Sequence, residues 1–126
     1  MYKVEVTHKE GMLFDVSSKD YSFCVDVNGR GITPPDTLLA SIGSCLGVYV
    51  RKYADGAKIS LDNLCITVEA ELSKEAPVSF REIRVALDLK GAALDERRKQ
   101  ALLTFVKNCP VHNTLKGNPA IVLRVN

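Results

Sequence analysis

The chain has 126 residues, of which 46% are apolar and 25% are charged, and its net charge is +2 at neutral pH. These values are ordinary for a globular domain large enough to bury a core, and the scattered basic residues give no sign of nucleic-acid binding. The first residues alternate like a strand and do not resemble a signal peptide, so we expect a single cytoplasmic domain over residues 1–126. In that compartment the four cysteines are expected to be free, metal-bound or redox-active rather than a disulfide framework.

Three strands are predicted in the first part of the chain. Apolar residues alternate in 2–8 and again in 12–16, on either side of Gly11, and this pattern predicts a hairpin. Residues 21–27 alternate in the same way and predict a third strand, with Cys24 on the face opposite the apolar row. A turn at residues 28–31 then leads the chain into its central segment.

The central segment, TPPDTLLASIGSCLGVYVRKYADG, predicts one long helix from Thr33 to Gly56. Thr33 is a favourable N-cap, Pro34 suits the first helical position, and Asp36 is placed as a capping carboxylate. Gly56 is predicted to take the left-handed conformation that ends the helix. Apolar residues cover nearly the whole circumference, which predicts burial on most sides.

The uncharged part of this helix, residues 37–50, spans only 14 residues, so we expect a buried core helix and no membrane association. Gly43 and Gly47 lower the helix propensity on both sides of Cys45. Their small size favours either close packing against another backbone or access of a reactant to the cysteine sulfur.

The remaining elements complete an α+β domain. Strands are predicted at residues 64–72 and 80–89, an amphipathic helix at 94–107, a short helical turn at 109–113 capped by Asn108, and a last strand at 120–125. The predicted order is therefore βββ-α-ββ-α-β. Segregated antiparallel strands with two main helices are typical of the α+β class.

Two of the four cysteines are candidates for chemistry. Cys45 alone is typical of a small core residue. Cys109 starts a helical turn, where free N–H groups lower the pKa of a thiol, although a cysteine packed under a loop is equally consistent. The spacing of Cys109 and His112 resembles half of a zinc site, so a zinc site formed by these two residues and Cys45 is an alternative. Cys24 and Cys65 lie on strands without such features and are predicted to be structural.

At these residues the sequence resembles a known family. TPPDTLLASIGSCLG is similar to the central-helix motif of the OsmC/Ohr family, roughly small-x-P-x-(Glu)-Leu-Leu-x-Ala-x-x-x-x-Cys, and NCPVHNTL is similar to its second cysteine segment. The element order also matches, so the resemblance covers essentially the whole chain, with the short N-terminal part closest to the small YhfA-type branch. It implies an OsmC-like fold with antiparallel sheets around a long central helix, and an intertwined homodimer with each active site at the interface.

The resemblance implies a thiol peroxidase that acts on small organic hydroperoxides in oxidative stress defence. Cys45 matches the peroxidatic cysteine, whose thiolate attacks the peroxide and becomes a sulfenic acid, and Cys109 matches the resolving cysteine, which then forms a disulfide with it. The disulfide is reduced by an external dithiol or a lipoyl-bearing protein, without a metal or organic cofactor. The alternative is a non-catalytic OsmC-like dimer that binds a small apolar or thiol-bearing ligand at its interface.

Two further residues are candidates for the same site. Asp36 matches the glutamate of the family motif and precedes Cys45 by nine residues. Nine residues of helix correspond to about half a turn of rotation and about 13 Å of rise, so Asp36 is expected to reach Cys45 only from a second copy of the chain. N-capping is its alternative role, and the two roles are compatible. Family peroxidases hold the thiolate with an arginine, and Arg30, just before the central helix, is the best candidate here.

Overall fold

A computed structural model describes residues 1–126 and divides the chain into two compact units, Met1–Ala40 and Ser41–Asn126. The long helix α1, Pro34–Ala57, begins in the first unit and continues into the second. The assignment of residues 1–126 to a single domain stays a prediction. None of the helices is both long and apolar enough to cross a membrane.

The first unit contains the three predicted strands, which form one antiparallel sheet. The strands are β1 Glu5–Glu10, β2 Leu13–Ser18 and β3 Tyr21–Asp26, and β2 lies in the centre. The turn between the first two contains Gly11 at a φ of +53°, as the sequence predicts. The register aligns Val6, Val16 and Phe23 in one row, and their shared face is the apolar face of the sheet.

The loop after β3 folds back along this strand. A hydrogen bond of 3.1 Å from the Asp26 N–H to the Ile32 carbonyl fixes it there. A Cβ atom on Gly31 would lie 2.5 Å from the carbonyl oxygen of Cys24, so only glycine fits at this crossing. The loop therefore delivers the chain to the start of α1 in one defined direction.

The start of α1 confirms the predicted cap. The Thr33 hydroxyl accepts a hydrogen bond of 3.2 Å from the Asp36 N–H and donates one of 2.8 Å to the Asp36 carboxylate. Pro34 occupies the first helical position. A backbone N–H at this position would have no acceptor within the helix, so its absence in proline costs no hydrogen bond.

The predicted end of α1 is wrong by two residues. Gly56 lies inside the helix, and the left-handed position falls on Lys58, with a φ of 57°. The Lys58 N–H bonds to the carbonyl of Asp55 at 3.3 Å, and the Ile59 N–H bonds to that of Ala54 at 2.9 Å. These two bonds form a Schellman motif, which satisfies the last carbonyl groups and therefore decides where the helix stops.

The second unit contains a two-stranded ribbon and two further helices. Its elements are β4 Cys65–Glu69, β5 Arg84–Asp88, α2 Glu96–Val106 and α3 Pro110–Lys116. The strands are antiparallel and shorter than predicted, with an isolated bridge between Leu72 and Phe80 beyond their ends. Buried residues come from α1, α2 and the segments next to them: Ile42, Leu46, Val50, Ala54, Leu61, Leu102, Val106 and Cys109.

The glycines of α1 bring this helix close to β4. A Cβ atom on Gly43 would lie 3.0 Å from Cγ2 of Val68, and one on Gly47 would lie 3.2 Å from Cδ1 of Ile66. Both distances are tighter than ordinary van der Waals contact. Close packing, the first of the two explanations that the sequence left open, therefore accounts for both glycines.

The predicted last strand at residues 120–125 does not form. Residues 118–126 have no regular secondary structure, and Ile121, Leu123 and Val125 are 84%, 88% and 100% exposed. A strand exists only where its N–H and C=O groups find a partner strand, and this segment has none within the single chain. The α+β class and the antiparallel pairing are confirmed, but the observed order ends βββ-α-ββ-α-α.

Candidate active site

The second unit brings Cys45 and Cys109 together. Cys45 lies on α1 and is half-buried, whereas Cys109 precedes α3 and is 0% exposed. The two side chains are near enough for Cys109 to raise the pKa of the Cys45 thiol, through hydrogen bonding and through its charge. Both are free cysteines, and no disulfide joins them.

Cys109 is itself the N-cap of α3. Its sulfur accepts a hydrogen bond of 3.5 Å from the backbone N–H of His112. The predicted cap at Asn108 is wrong by one residue, because Pro110 occupies the first helical position and the residue before a proline is pushed out of the helical conformation. Asn108 instead ends the preceding turn, where its N–H bonds to the carbonyl of Phe105 at 3.1 Å.

The electrostatics of Cys45 favour its neutral thiol. Burial raises the pKa of Cys45 most, and the hydrogen bond to Cys109 raises it further. Two groups oppose them: hydrogen bonding by the Val111 backbone lowers the pKa of Cys45, and the positive charge of Lys52 lowers it further.

Lys52 is the site residue that the sequence did not identify. Because the helix continues to Ala57 and its last turn has no basic residue, Lys52 does not interact with the negative end of α1. The Lys52 ammonium group instead lies 4.7 Å from the centre of the Tyr49 ring. Its spacing of seven residues from Cys45, which places both on one face of the helix, was the signal available in the sequence.

Aromatic contacts connect the Tyr49 side of α1 to α2. The rings of Tyr49 and Tyr53 lie 6.0 and 5.8 Å from the ring of Phe105, both tilted by 49°. Tilted ring pairs at such distances stabilise the fold by more than the burial of their apolar surface alone. Because α2 leads into α3, these contacts help to fix the position of Cys109.

Asp36 and Arg30 have partners within the first unit. Asp36 is exposed and bonded to Thr33 at the start of α1. Arg30 forms ion pairs with Glu10 at 2.8 Å and with Asp26 at 3.2 Å, and these two carboxylates raise its pKa. The predicted roles of Asp36 and Arg30 toward Cys45 stay predictions.

The other two cysteines are exposed. Cys24 donates a hydrogen bond of 3.3 Å to Asp15, and this carboxylate raises the pKa of the Cys24 thiol. Cys65 starts β4. The structure contains no group of three or more His, Cys, Asp and Glu side chains that could hold a metal ion, so the zinc site considered for Cys45, Cys109 and His112 is not formed.

Comparisons with known proteins identify the family to which a chain with this fold and these two neighbouring thiols belongs. Residues 27–124 match the family described as OsmC-like protein. This match covers most of the chain, and the chain therefore belongs to the OsmC-like protein family. No curated protein matches the sequence significantly.

Solved structures share the fold. The chain is similar to an OsmC-like protein from Mycoplasma pneumoniae, with a TM-score of 0.81 and 22% identity over 93% of this chain and 88% of that chain. It is also similar to an organic hydroperoxide resistance protein from Legionella pneumophila (TM-score 0.64, 23% identity, 94% of this chain and 92% of that chain). A third similar structure is the organic hydroperoxide resistance protein OhrB of Bacillus subtilis (TM-score 0.62, 23% identity, 92% of both chains).

Proposed function

We propose that this protein is a cysteine-based thiol peroxidase that reduces small organic hydroperoxides through Cys45 and Cys109. The observation that carries the proposal is that the second unit brings the two cysteines, one half-buried on α1 and one buried before α3, near enough for Cys109 to raise the pKa of Cys45. Two of the similar proteins are organic hydroperoxide resistance proteins, which supports organic hydroperoxides as the proposed substrate class.

The proposed reaction has two steps in the protein. The Cys45 thiolate attacks the terminal oxygen of the hydroperoxide, the O–O bond breaks, and the alkoxide takes up a proton to leave as the alcohol. Cys45 is then a sulfenic acid. Cys109 attacks the Cys45 sulfur, hydroxide leaves and is protonated to water, and a Cys45–Cys109 disulfide remains.

A dithiol outside the chain completes the cycle. One of its thiolates attacks the disulfide and its second thiol displaces the resulting mixed disulfide, so both protein thiols are regenerated and the reductant becomes a disulfide. A small dithiol or a lipoyl-bearing protein has the required chemistry. The proposal places this cycle in the cytoplasm, where such reductants are kept reduced.

The proposed active form is a homodimer. Asp36 is expected to reach Cys45 only from the partner subunit, because about 13 Å of helical rise separates the two positions within one chain. We propose that Arg30 binds the Cys45 thiolate, the role that the sequence predicts for it. To do so, Arg30 must release Glu10 or Asp26 when the dimer forms.

Free-thiol titration before and after one equivalent of cumene hydroperoxide tests the redox pair. We expect a loss of two thiols and one disulfide, which mass mapping assigns to Cys45 and Cys109. Cys24→Ser and Cys65→Ser are matched controls, because both cysteines are exposed and each variant should still lose two thiols.

Single substitutions separate the two roles. Cys45→Ser is expected to abolish peroxide consumption, whereas Cys109→Ser is expected to stop after one turnover with Cys45 as a sulfenic acid that dimedone traps. Full peroxide consumption by Cys45→Ser would overturn the assignment.

A second candidate function has one observation in its favour. The raised pKa of Cys45 leaves less thiolate at neutral pH than an ordinary cysteine has, which suits a non-catalytic dimer that binds a small apolar or thiol-bearing ligand at its interface. Four unreacted thiols after peroxide treatment would favour this candidate over the peroxidase.

A further inference from the structure

We infer that Lys52 is a positioning residue for Cys45: its ammonium group favours the Cys45 thiolate from the same face of α1. For the peroxide reaction this inference rests on the proposed function, but its primary readout, the ionisation of Cys45, does not. Lys52 lies in the same chain and the same unit as Cys45, so its effect does not depend on dimer assembly and adds to that of the arginine proposed above.

The geometry of α1 supports this role first. Cys45, Tyr49 and Lys52 are spaced by four and three residues, so their side chains follow one another along one face of the helix. Helical side chains lean toward the N-terminus, which directs Lys52 along this row toward Cys45. The ammonium group lies 4.7 Å from the centre of the Tyr49 ring, and Tyr49 is about one helical turn closer to Cys45 than Lys52 is.

The distribution of charge on α1 distinguishes Lys52 from its neighbour. Arg51 binds Asp55 at 3.2 Å and Asp62 at 3.4 Å, so its charge is compensated by carboxylates. The ammonium group of Lys52 lies on an aromatic face instead, and such a contact holds a cation without neutralising it. Its field is therefore available to a nearby sulfur.

The other groups that face Cys45 do not supply a cation. Cys109, which precedes α3, raises the pKa of Cys45, and the N–H of Val111 lowers it without carrying a formal charge. On the β4 side, α1 packs against the uncharged Ile66 and Val68. Lys52 is the charged group that acts on Cys45 in the direction of the thiolate.

The test is the pH dependence of Cys45 alkylation by iodoacetamide in the reduced protein, quantified at Cys45 by mass mapping. Lys52→Met keeps the length of the side chain and removes its charge, and Lys52→Arg keeps the charge. Lys99→Met is the matched control, because it removes one positive charge from the exposed face of α2.

We expect Lys52→Met to move the alkylation profile of Cys45 to higher pH and to slow alkylation near neutral pH about threefold, as for a screened charge at several ångströms. Lys52→Arg should retain the wild-type profile, and Lys99→Met should leave it unchanged. High salt should narrow the difference between wild type and Lys52→Met. An unshifted profile in Lys52→Met, or an equal shift in Lys99→Met, overturns the inference.

Peroxide consumption by the same variants separates this inference from the proposed function. If wild type consumes no hydroperoxide but Lys52→Met shifts the alkylation profile, the peroxidase proposal fails and the role of Lys52 stands. If wild type is active and the profile does not shift, the role of Lys52 fails and the peroxidase stands.

Discussion

Asp26 is the buried carboxylate of the first unit, with 1% of its surface exposed. It accepts hydrogen bonds from the Asn28 N–H at 2.8 Å and from Arg30 Nε at 3.2 Å. These bonds, led by the one from Asn28, hold the pKa of Asp26 below its usual range. The carboxylate therefore joins the end of β3 to the loop that leads into α1.

This environment predicts a pH dependence of stability. Because the pKa of Asp26 is lower in the folded than in the unfolded chain, its contribution is fully present above the unfolded value of about 3.9. It is lost as the pH falls through the lower folded value. We expect Asp26→Asn to lower the urea midpoint at pH 7 and to flatten the decline of that midpoint in acid.

Asp20→Asn is the control for this measurement, since Asp20 is exposed in the turn between β2 and β3. Urea unfolding followed by circular dichroism from pH 7 to about pH 3 covers the required window. An acid decline as steep in Asp26→Asn as in wild type would contradict the role of this carboxylate.

At this scale the sequence predicted two cysteines that the structure brings together in the second unit, and it did not predict the charged group beside them. The roles of Cys45 and Cys109 came from the resemblance of their two segments to a family, because Cys45 alone is typical of a core residue and the start of a helical turn was the only local signal at Cys109. Lys52 was not identified, because its role depends on the true end of α1 and on the carboxylates that occupy Arg51. Both depend on the chain after the helix, which local signals do not describe.

Helix α1 shows how an element's boundary is decided by its neighbours. The left-handed residue is Lys58, although Gly56 has the better intrinsic propensity for that conformation. The closing bonds of the Schellman motif come from residues 58 and 59, so the motif and not the glycine sets the end.

Two substitutions at this end test the boundary. Gly56 is helical, and a Cβ atom there would meet nothing within 4 Å, so Gly56→Ala should stabilise the protein by roughly 0.5–1 kcal/mol. Lys58→Gly should also stabilise it, by up to about 1 kcal/mol, because it removes a strained left-handed side chain. Thermal unfolding measures both. Destabilisation by Gly56→Ala would contradict the helical conformation of Gly56 and indicate that this glycine ends the helix.

The contact between α1 and β4 predicts a coupling between two residues. Gly43→Ala gains about 1 kcal/mol of helix propensity, but its methyl group overlaps Cγ2 of Val68, and overpacking costs about 1–3 kcal/mol. We expect Gly43→Ala to destabilise wild type and to stabilise Val68→Ala, in which the methyl group has room. Urea unfolding of the four proteins in this double-mutant cycle measures the coupling. Additive effects would contradict the packing.

For the whole molecule, the proposed site needs two chains, and this predicts complementation. Cys45→Ser and Asp36→Ala should each be inactive as homodimers. If Asp36 acts on the partner's Cys45, a mixed dimer contains one intact site, so mixing the two variants under subunit exchange should restore peroxide consumption. Mixing Cys45→Ser with Cys45→Ala is the control and should restore none. No recovery in the first mixture would place Asp36 in its capping role alone.

The exposed C-terminal segment makes a second prediction at this scale. Leu123 and Val125 belong to an apolar segment typical of a strand, yet they are 88% and 100% exposed in the single chain. If a second copy covers them, Leu123→Glu should weaken the dimer, and the neighbouring Arg124→Glu should affect it less. Sedimentation at decreasing protein concentration measures both. Equal dissociation constants would show that the segment is not part of the interface.

The sequence predicted the fold class and seven elements in the correct order, because each has its own periodicity and end signals. It could not predict that residues 120–125 form no strand, because a short apolar segment rich in β-branched residues predicts a strand whether or not a partner strand exists.

The cap of α3 has a thermodynamic consequence for the proposed cycle. In the dithiol form the sulfur of Cys109 accepts a hydrogen bond from the His112 N–H. In the disulfide form the same sulfur is bonded to Cys45 on α1 and has less electron density, so it is a weaker acceptor. The amide of His112 should therefore exchange its hydrogen faster in the disulfide form, and equal or slower exchange would count against this coupling. A cap contributes about 1 kcal/mol, which for a two-electron couple corresponds to about 20 mV. This hydrogen bond stabilises the dithiol form and not the disulfide form. The cap of the seven-residue helix α3 therefore raises the reduction potential of the disulfide and favours its reduction to the dithiol.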